Sequence, residues 1–134
     1  MSEKLFNDLV YADPQTGLMW ARNGNIVGQE LTWENAMNWV KNLNYAGYTN
    51  WRLPTNEEFC DFRDRSVICP SGRSWILPCE WFNENGFNNI QASSYWSSTN
   101  YGSDGAWVVG MFDFSAGGVN KNGNLFVWPV LVGQ

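Results

Sequence analysis

From Leu5 to Trp20 two short apolar segments flank Asp13-Pro14-Gln15-Thr16-Gly17. Proline sets a turn φ and glycine supplies a positive one, so the pattern predicts an opening β-hairpin. Asn23-Gly24 and Val27-Gly28 then mark a loop. Trp33, Ala36, Met37, Val40 and Leu43 fall at helical spacing behind Thr32, a good N-cap, with Glu34 near the positive end of the dipole. A helix from about Trp33 to Leu43 is expected, ended by the Asn44 to Asn50 stretch with Gly47. Trp51-Arg52-Leu53-Pro54 leads into Thr55-x-x-Glu58, a capping box followed by Phe59 and Phe62. This predicts a second helix, about Asn56 to Arg65, whose Glu57, Asp61 and Asp64 form a solvated face.

Ser66 to Ala92 reads as irregular, with Pro70, Gly72, Pro78 and the turn-forming Asn83-Glu84-Asn85-Gly86. A loop of that length is packed by its own side chains, here Trp75, Ile76, Leu77, Trp81 and Phe82. The last third changes character. Ser94 to Thr99, Ala106 to Phe114 and Leu125 to Val132 read as strands, separated by a turn-rich Asn100 to Gly105 and a Gly/Asn-rich Ser115 to Asn124. Helices first and paired strands later indicate an α+β fold with an antiparallel sheet.

Composition narrows the function. At 134 residues, 44% hydrophobic and 16% charged, the chain fits one folded domain spanning 1–134. The formal net charge is −5, and Arg63, Arg65 and Arg73 are the closest group of cations, so a phosphate backbone would be repelled and nucleic acid is not an expected partner. No apolar run approaches the ~20 residues that span a bilayer. No signal peptide is visible at the start, which leaves a cell-surface or virus-particle setting open.

Cys60, Cys69 and Cys79 are odd in number; a Cys69–Cys79 disulfide with one free thiol and three buried thiols are both allowed. With no histidine to complete a zinc site or activate a nucleophile, metal ligation, Ser-His-Asp and Cys-His catalysis all lack their parts. No cofactor is expected. Aromatic residues reach 16%, with nine Trp, and Trp20, Trp33, Trp39, Trp51 and Trp96 are assigned to the core.

Taken in order, Asp13-x-x-Thr16-Gly17-Leu18-Met19-Trp20, Leu31-Thr32-Trp33-x-x-Ala36-Met37, Trp51-Arg52-Leu53-Pro54-Thr55-x-x-Glu58, Tyr95-Trp96-Ser97-Ser98-Thr99, Ala106-Trp107 and Val127-x-Pro129-Val130 form a specific series covering almost the whole chain. It resembles the family named for the C-terminal domain of the Legionella collagen-like protein. That resemblance implies a C-type-lectin-like fold, a twisted antiparallel sheet with two flanking helices and chain ends brought close together. It places binding residues on the later strands and loops, and the WRLPT region in the core. Family members often carry Arg where this chain has Trp128, so no role of that Arg transfers.

The resemblance extends to variable proteins of diversity-generating retroelements, in which Asn codons near the 3′ end are mutated. Val108, Gly110, Phe112, Ala116, Gly118, Asn120 and Asn122 recur at nearly every second residue, and alternation would put them on one sheet face. Asn100, Asn120, Asn122 and Asn124 read either as unmutated template codons or as an ordinary Asn/Gly-rich loop. Asn100, Tyr101, Ser103, Asp104, Val108, Gly110, Phe112, Ala116, Gly118, Asn120, Asn122 and Asn124 are therefore the expected ligand-binding residues, with Tyr101, Phe112 and Trp107 as aromatic anchors. The expected partner is a protein or cell-surface ligand. A polysaccharide-binding adhesin is the alternative, against which the net charge of −5 counts. A catalyst resembling formylglycine-generating enzymes, which share the superfamily fold and use cysteines, is the remaining one.

Overall fold

The computed structural model describes residues 8–132; Leu5 to Asn7, the start of the first expected apolar segment, lie outside the described residues. Strand β1 (Val10–Ala12) and strand β2 (Leu18–Ala21) form the expected hairpin, paired Val10 to Ala21. Gly17 takes φ +78°, as its place in the turn requires. Asp13 closes the turn, accepting hydrogen bonds from the Gln15 N–H and the Thr16 hydroxyl.

Helix α1 (Trp33–Lys41) follows Thr32, whose side chain accepts from the Asn35 N–H; it buries Ala36 and Val40. Helix α2 (Asn56–Ser66) carries the complete capping box, with Thr55 accepting from the Glu58 N–H and Glu58 from the Thr55 N–H. The segment expected to be irregular contains a further helix, α3 (Pro78–Glu84). Pro78 suits its first turn because that position needs no donor, and Glu80 accepts from the Leu77 N–H three residues back. Three helices, not two, thus lie wholly within the described residues.

Strands β3 (Ser94–Tyr101), β4 (Gly105–Gly110) and β5 (Ala116–Asn120) form one antiparallel sheet in that order; β1, β2 and β6 (Val130–Val132) form a second, with β2 central. The expected strand Ala106 to Phe114 stops at Gly110. The Gly/Asn-rich stretch, expected to be loop, supplies β5, and only the end of Leu125 to Val132 is β6. Leu18 pairs with Val132, which brings the first and last described strands together on β2.

Between the sheets and helices lies an aromatic core. Trp20, Phe59, Phe82, Tyr95, Trp96 and Trp128 have essentially no exposed surface, and Phe62 little. Trp20 stacks on Phe62 with centroids 4.2 Å apart, and Phe82 meets Trp128 edge-on at 5.2 Å. The Trp128 Nε1–H donates to the Ala21 carbonyl at 2.7 Å, so the indole is satisfied inside. Trp51 and Trp96 are buried as expected, while Trp33 and Trp39 only border the core. Ile76 and Phe82 are buried, but Trp75 is 64% exposed and does not pack the loop.

The WRLPT segment ties these layers together. Arg52 exchanges backbone hydrogen bonds with Val130, and its guanidinium makes a two-pronged contact with Glu58 at 2.8 and 2.9 Å. The Pro54 carbonyl accepts from the Ser98 N–H on β3.

Candidate ligand-binding surface

The β4–β5 connection is built from the inside. Arg63 lies one turn beyond Phe59 on the buried stripe of α2 and is only 2% exposed. Its guanidinium donates to the carbonyls of Gly110, Phe114 and Ser115 at 2.6 to 3.1 Å, and sits 5.4 Å from the Phe114 ring centroid. Asp64 takes the Nε–H. Three carbonyls gathered on one cation fix the loop backbone, so Phe112 and Phe114, 57% and 53% exposed, are held outward on a rigid base. Asp113 accepts from the Ser115 hydroxyl and N–H; those hydrogen bonds hold its carboxyl below the usual range.

A second aromatic group stands on the sheet. Tyr101, half exposed, meets Trp107 edge-on with centroids 5.1 Å apart. Its ring lies directly over Gly118: a Cβ added there would come within 2.2 Å of the Tyr101 ring. Glycine is needed at this point for the ring to lie flat on β5.

The structure divides the expected ligand-binding residues. Asn100, Tyr101, Ser103 and Asp104 are exposed around the β3–β4 turn, and Phe112, Ala116, Gly118, Asn120, Asn122 and Asn124 are exposed along the loop, β5 and the turn after it. Val108 and Gly110 are buried. They lie in the central strand, which is covered by α2, and Gly110 is where Arg63 anchors.

The single-face expectation also fails. Val108 pairs with Gly117 and Val109 with Ala116. Directly opposed residues share a face, so Val108 and Gly110 go with Gly117 and Val119, while Ala116, Gly118 and Asn120 go with Trp107 and Val109. The cause is the connection: Gly110 and Ser115 are hydrogen-bonded across four intervening residues, an even number, which reverses the parity of the alternation. Phe114 and Arg63 were absent from the expected set, although Arg63 completes the Phe59, Phe62, Arg63 spacing of a buried stripe.

Beside this surface, the Lys121 ammonium sits 4.1 Å from the Trp33 ring centroid and donates to the Asn100 side chain at 2.7 Å. That contact binds the end of β3 to the turn after β5. Elsewhere a cleft of about 610 Å³ lies between α1 and the Thr49 to Leu53 segment, with Met37, Val40, Trp51 and Leu53 in its wall. Its Arg52 is already neutralised by Glu58.

The cysteines follow neither expected arrangement. All three are free, with Cys79 buried, Cys60 half-buried and Cys69 exposed. Burial pushes the Cys60 and Cys79 thiols up, away from the thiolate. Among the described residues no cluster of three His, Cys, Asp or Glu is placed to hold a metal ion, and no helix is long and apolar enough to cross a membrane.

Comparison with curated proteins found no match. The family model described as Lcl C-terminal domain matches residues 9–131, nearly the whole chain, including every element described above except the last residue of β6. The chain belongs to the Lcl C-terminal domain family.

Proposed function

We propose that this chain is a recognition domain of C-type-lectin-like fold that binds a protein or surface partner through the face formed by the β3–β4 turn, the Met111 to Ser115 loop and β5. One observation carries the reading: Phe112 and Phe114 stand half exposed on a loop held by a buried arginine, and Tyr101 stands half exposed on the neighbouring sheet against Trp107 and Gly118. Exposed aromatic rings on a rigid frame lose little entropy on contact and supply most of the energy of an interface. The surrounding Asn, Ser and Gly positions add adaptable hydrogen bonding. Catalysis has no support of this kind, since burial raises the Cys60 and Cys79 thiols and so disfavours the thiolate.

The finer reading is a variable protein of a diversity-generating retroelement, in which Phe112, Ala116, Asn120 and Asn122 are positions free to change without entering the core. A neighbouring reverse transcriptase gene with a near-copy of the coding sequence for Ala106 to Val130, differing only at adenines, tests it. The binding role itself is tested by Tyr101→Ala with Phe112→Ala. Affinity for a captured partner should be lost with the melting temperature nearly unchanged; retained affinity refutes the proposal.

A further inference from the structure

The sheet edges are treated unequally. The outer edge of β3 is covered: the Trp96 N–H donates to Phe126, Phe126 donates to Ser94, and the Ser98 N–H donates to Pro54. The outer side of β6 is taken by Arg52, which bonds Val130 in both directions. On β5 the Gly110–Ser115 and Asp104–Lys121 hydrogen bonds bracket the ladder, so Gly117 and Val119 face β4. Ala116, Gly118 and Asn120 therefore turn their N–H and C=O groups outward. Among the described residues, Ala116 and Gly118 form no backbone hydrogen bond on that side. The edge is also undefended. Its sequence, Ala-Gly-Gly-Val-Asn, holds no proline and no charge, and no bulge interrupts its pairing with β4.

We propose that the outer edge of β5 is a strand-addition site, taking an extended segment of a partner polypeptide whose backbone completes the Ala116 and Gly118 hydrogen bonds. This deepens the recognition role argued above and rests on it. The chemistry selects the occupant, because a row of alternating donors and acceptors matches another extended backbone. Phe112 and Phe114 at one end, with Tyr101 on the sheet face, offer apolar contacts to alternate side chains of the added strand. Exposed Asp113 stands at the start of β5 and exposed Asp104 near its end, which favours basic residues flanking the segment. Lys121, also at that end, is drawn over Trp33 and bonded to Asn100. A second copy is the poorer occupant, since two chains each of net charge −5 repel and two glycines bury little.

The test uses short random peptides displayed on phage and panned against the intact chain, followed by backbone N-methylation of a selected peptide at each position in turn. N-methylation should weaken binding about tenfold or more at every second residue and leave the intervening ones unaffected. Ala116→Pro, which removes an outward donor, should lose a similar factor, and the Ala116 and Gly118 amides should become protected from exchange on binding. The proposal is overturned if N-methylation shows no alternation, if those amides stay unprotected, if no peptide is selected, or if their protection instead grows with protein concentration alone, which would mean self-pairing. Binding that needs Tyr101 and Phe112 but shows no alternation would remove strand addition and leave the recognition role standing. The peptide scan does not depend on whether Ala116→Pro folds.

Discussion

The molecule holds two groups of aromatic side chains, and they differ in what surrounds them and not in residue type. In the core, Trp20, Phe59, Phe62, Phe82 and Trp128 touch one another from β2, two helices and the segment that leads into β6. On the surface the neighbours are few: Trp107 and Gly118 for Tyr101, the loop backbone for Phe112 and Arg63 for Phe114. An exposed ring contributes little to folding, so its position must be fixed by other means. Here it is fixed by three carbonyls on a buried guanidinium and, for the tyrosine, by the space that a glycine leaves beneath the ring.

The comparison can be broken most severely from the core. Trp128→Ala should cost about 3–5 kcal/mol and lower the melting temperature sharply, because it empties the contact between Trp20, Phe82 and Phe87. Arg63→Met should cost about 1–3 kcal/mol by leaving the Gly110 and Phe114 carbonyls without the donor that holds them. It should also speed amide exchange across Met111 to Ser115, whereas Trp128→Ala loosens the whole chain; equal loosening in both would dissolve the distinction.

Acid should act between these. Burial alone would raise the Asp13 and Glu58 carboxyls, but the hydrogen bonds and charge of Arg65 and Arg52, with backbone and hydroxyl donors, outweigh it and hold both below 3.8 and 4.5 respectively. Their stabilisation is fully present above those ordinary values and is lost as pH falls through the depressed ones. Thermal melting should be level above about pH 5 and decline below about pH 4, and Arg65→Met should flatten part of that decline. The smallest effect belongs to the surface: Phe112→Ala and Tyr101→Ala should each change folding stability by no more than about 0.5 kcal/mol in denaturant titration.

Much of the frame was legible because its signals are local. Thr32, Thr55 and Glu58 cap helices from within a few residues, and Asp13 to Gly17 spells out its own turn. Helix α3 escaped because Leu77 offers no side-chain cap and Pro78 reads as a breaker unless its place in the first turn is known. Strand β5 escaped because in Ala-Gly-Gly-Val-Asn only the valine favours a strand; pairing with β4 imposes its conformation. The proposed binding face was legible as a region and not as a surface. Exposure of Tyr101 followed from its setting among turn residues, but Phe112 was expected on a strand and lies on the loop beyond it, and which side Val108 and Gly110 occupy depends on the length of that connection, a property that alternation alone does not carry. Arg63 was visible on an apolar stripe, yet a cation there was read with the scattered surface charges.

The Tyr101 ring over Gly118 ties two positions into one unit of variation. Any side chain at 118 must first displace the ring, so Gly118→Ala should disturb the surface in the presence of Tyr101 and be nearly silent once Tyr101→Ala has cleared the space. The two changes would be strongly epistatic. A population of variants that altered 118 alone would sample rearranged tyrosines, so the usable diversity of this face is smaller than the product of its separate positions.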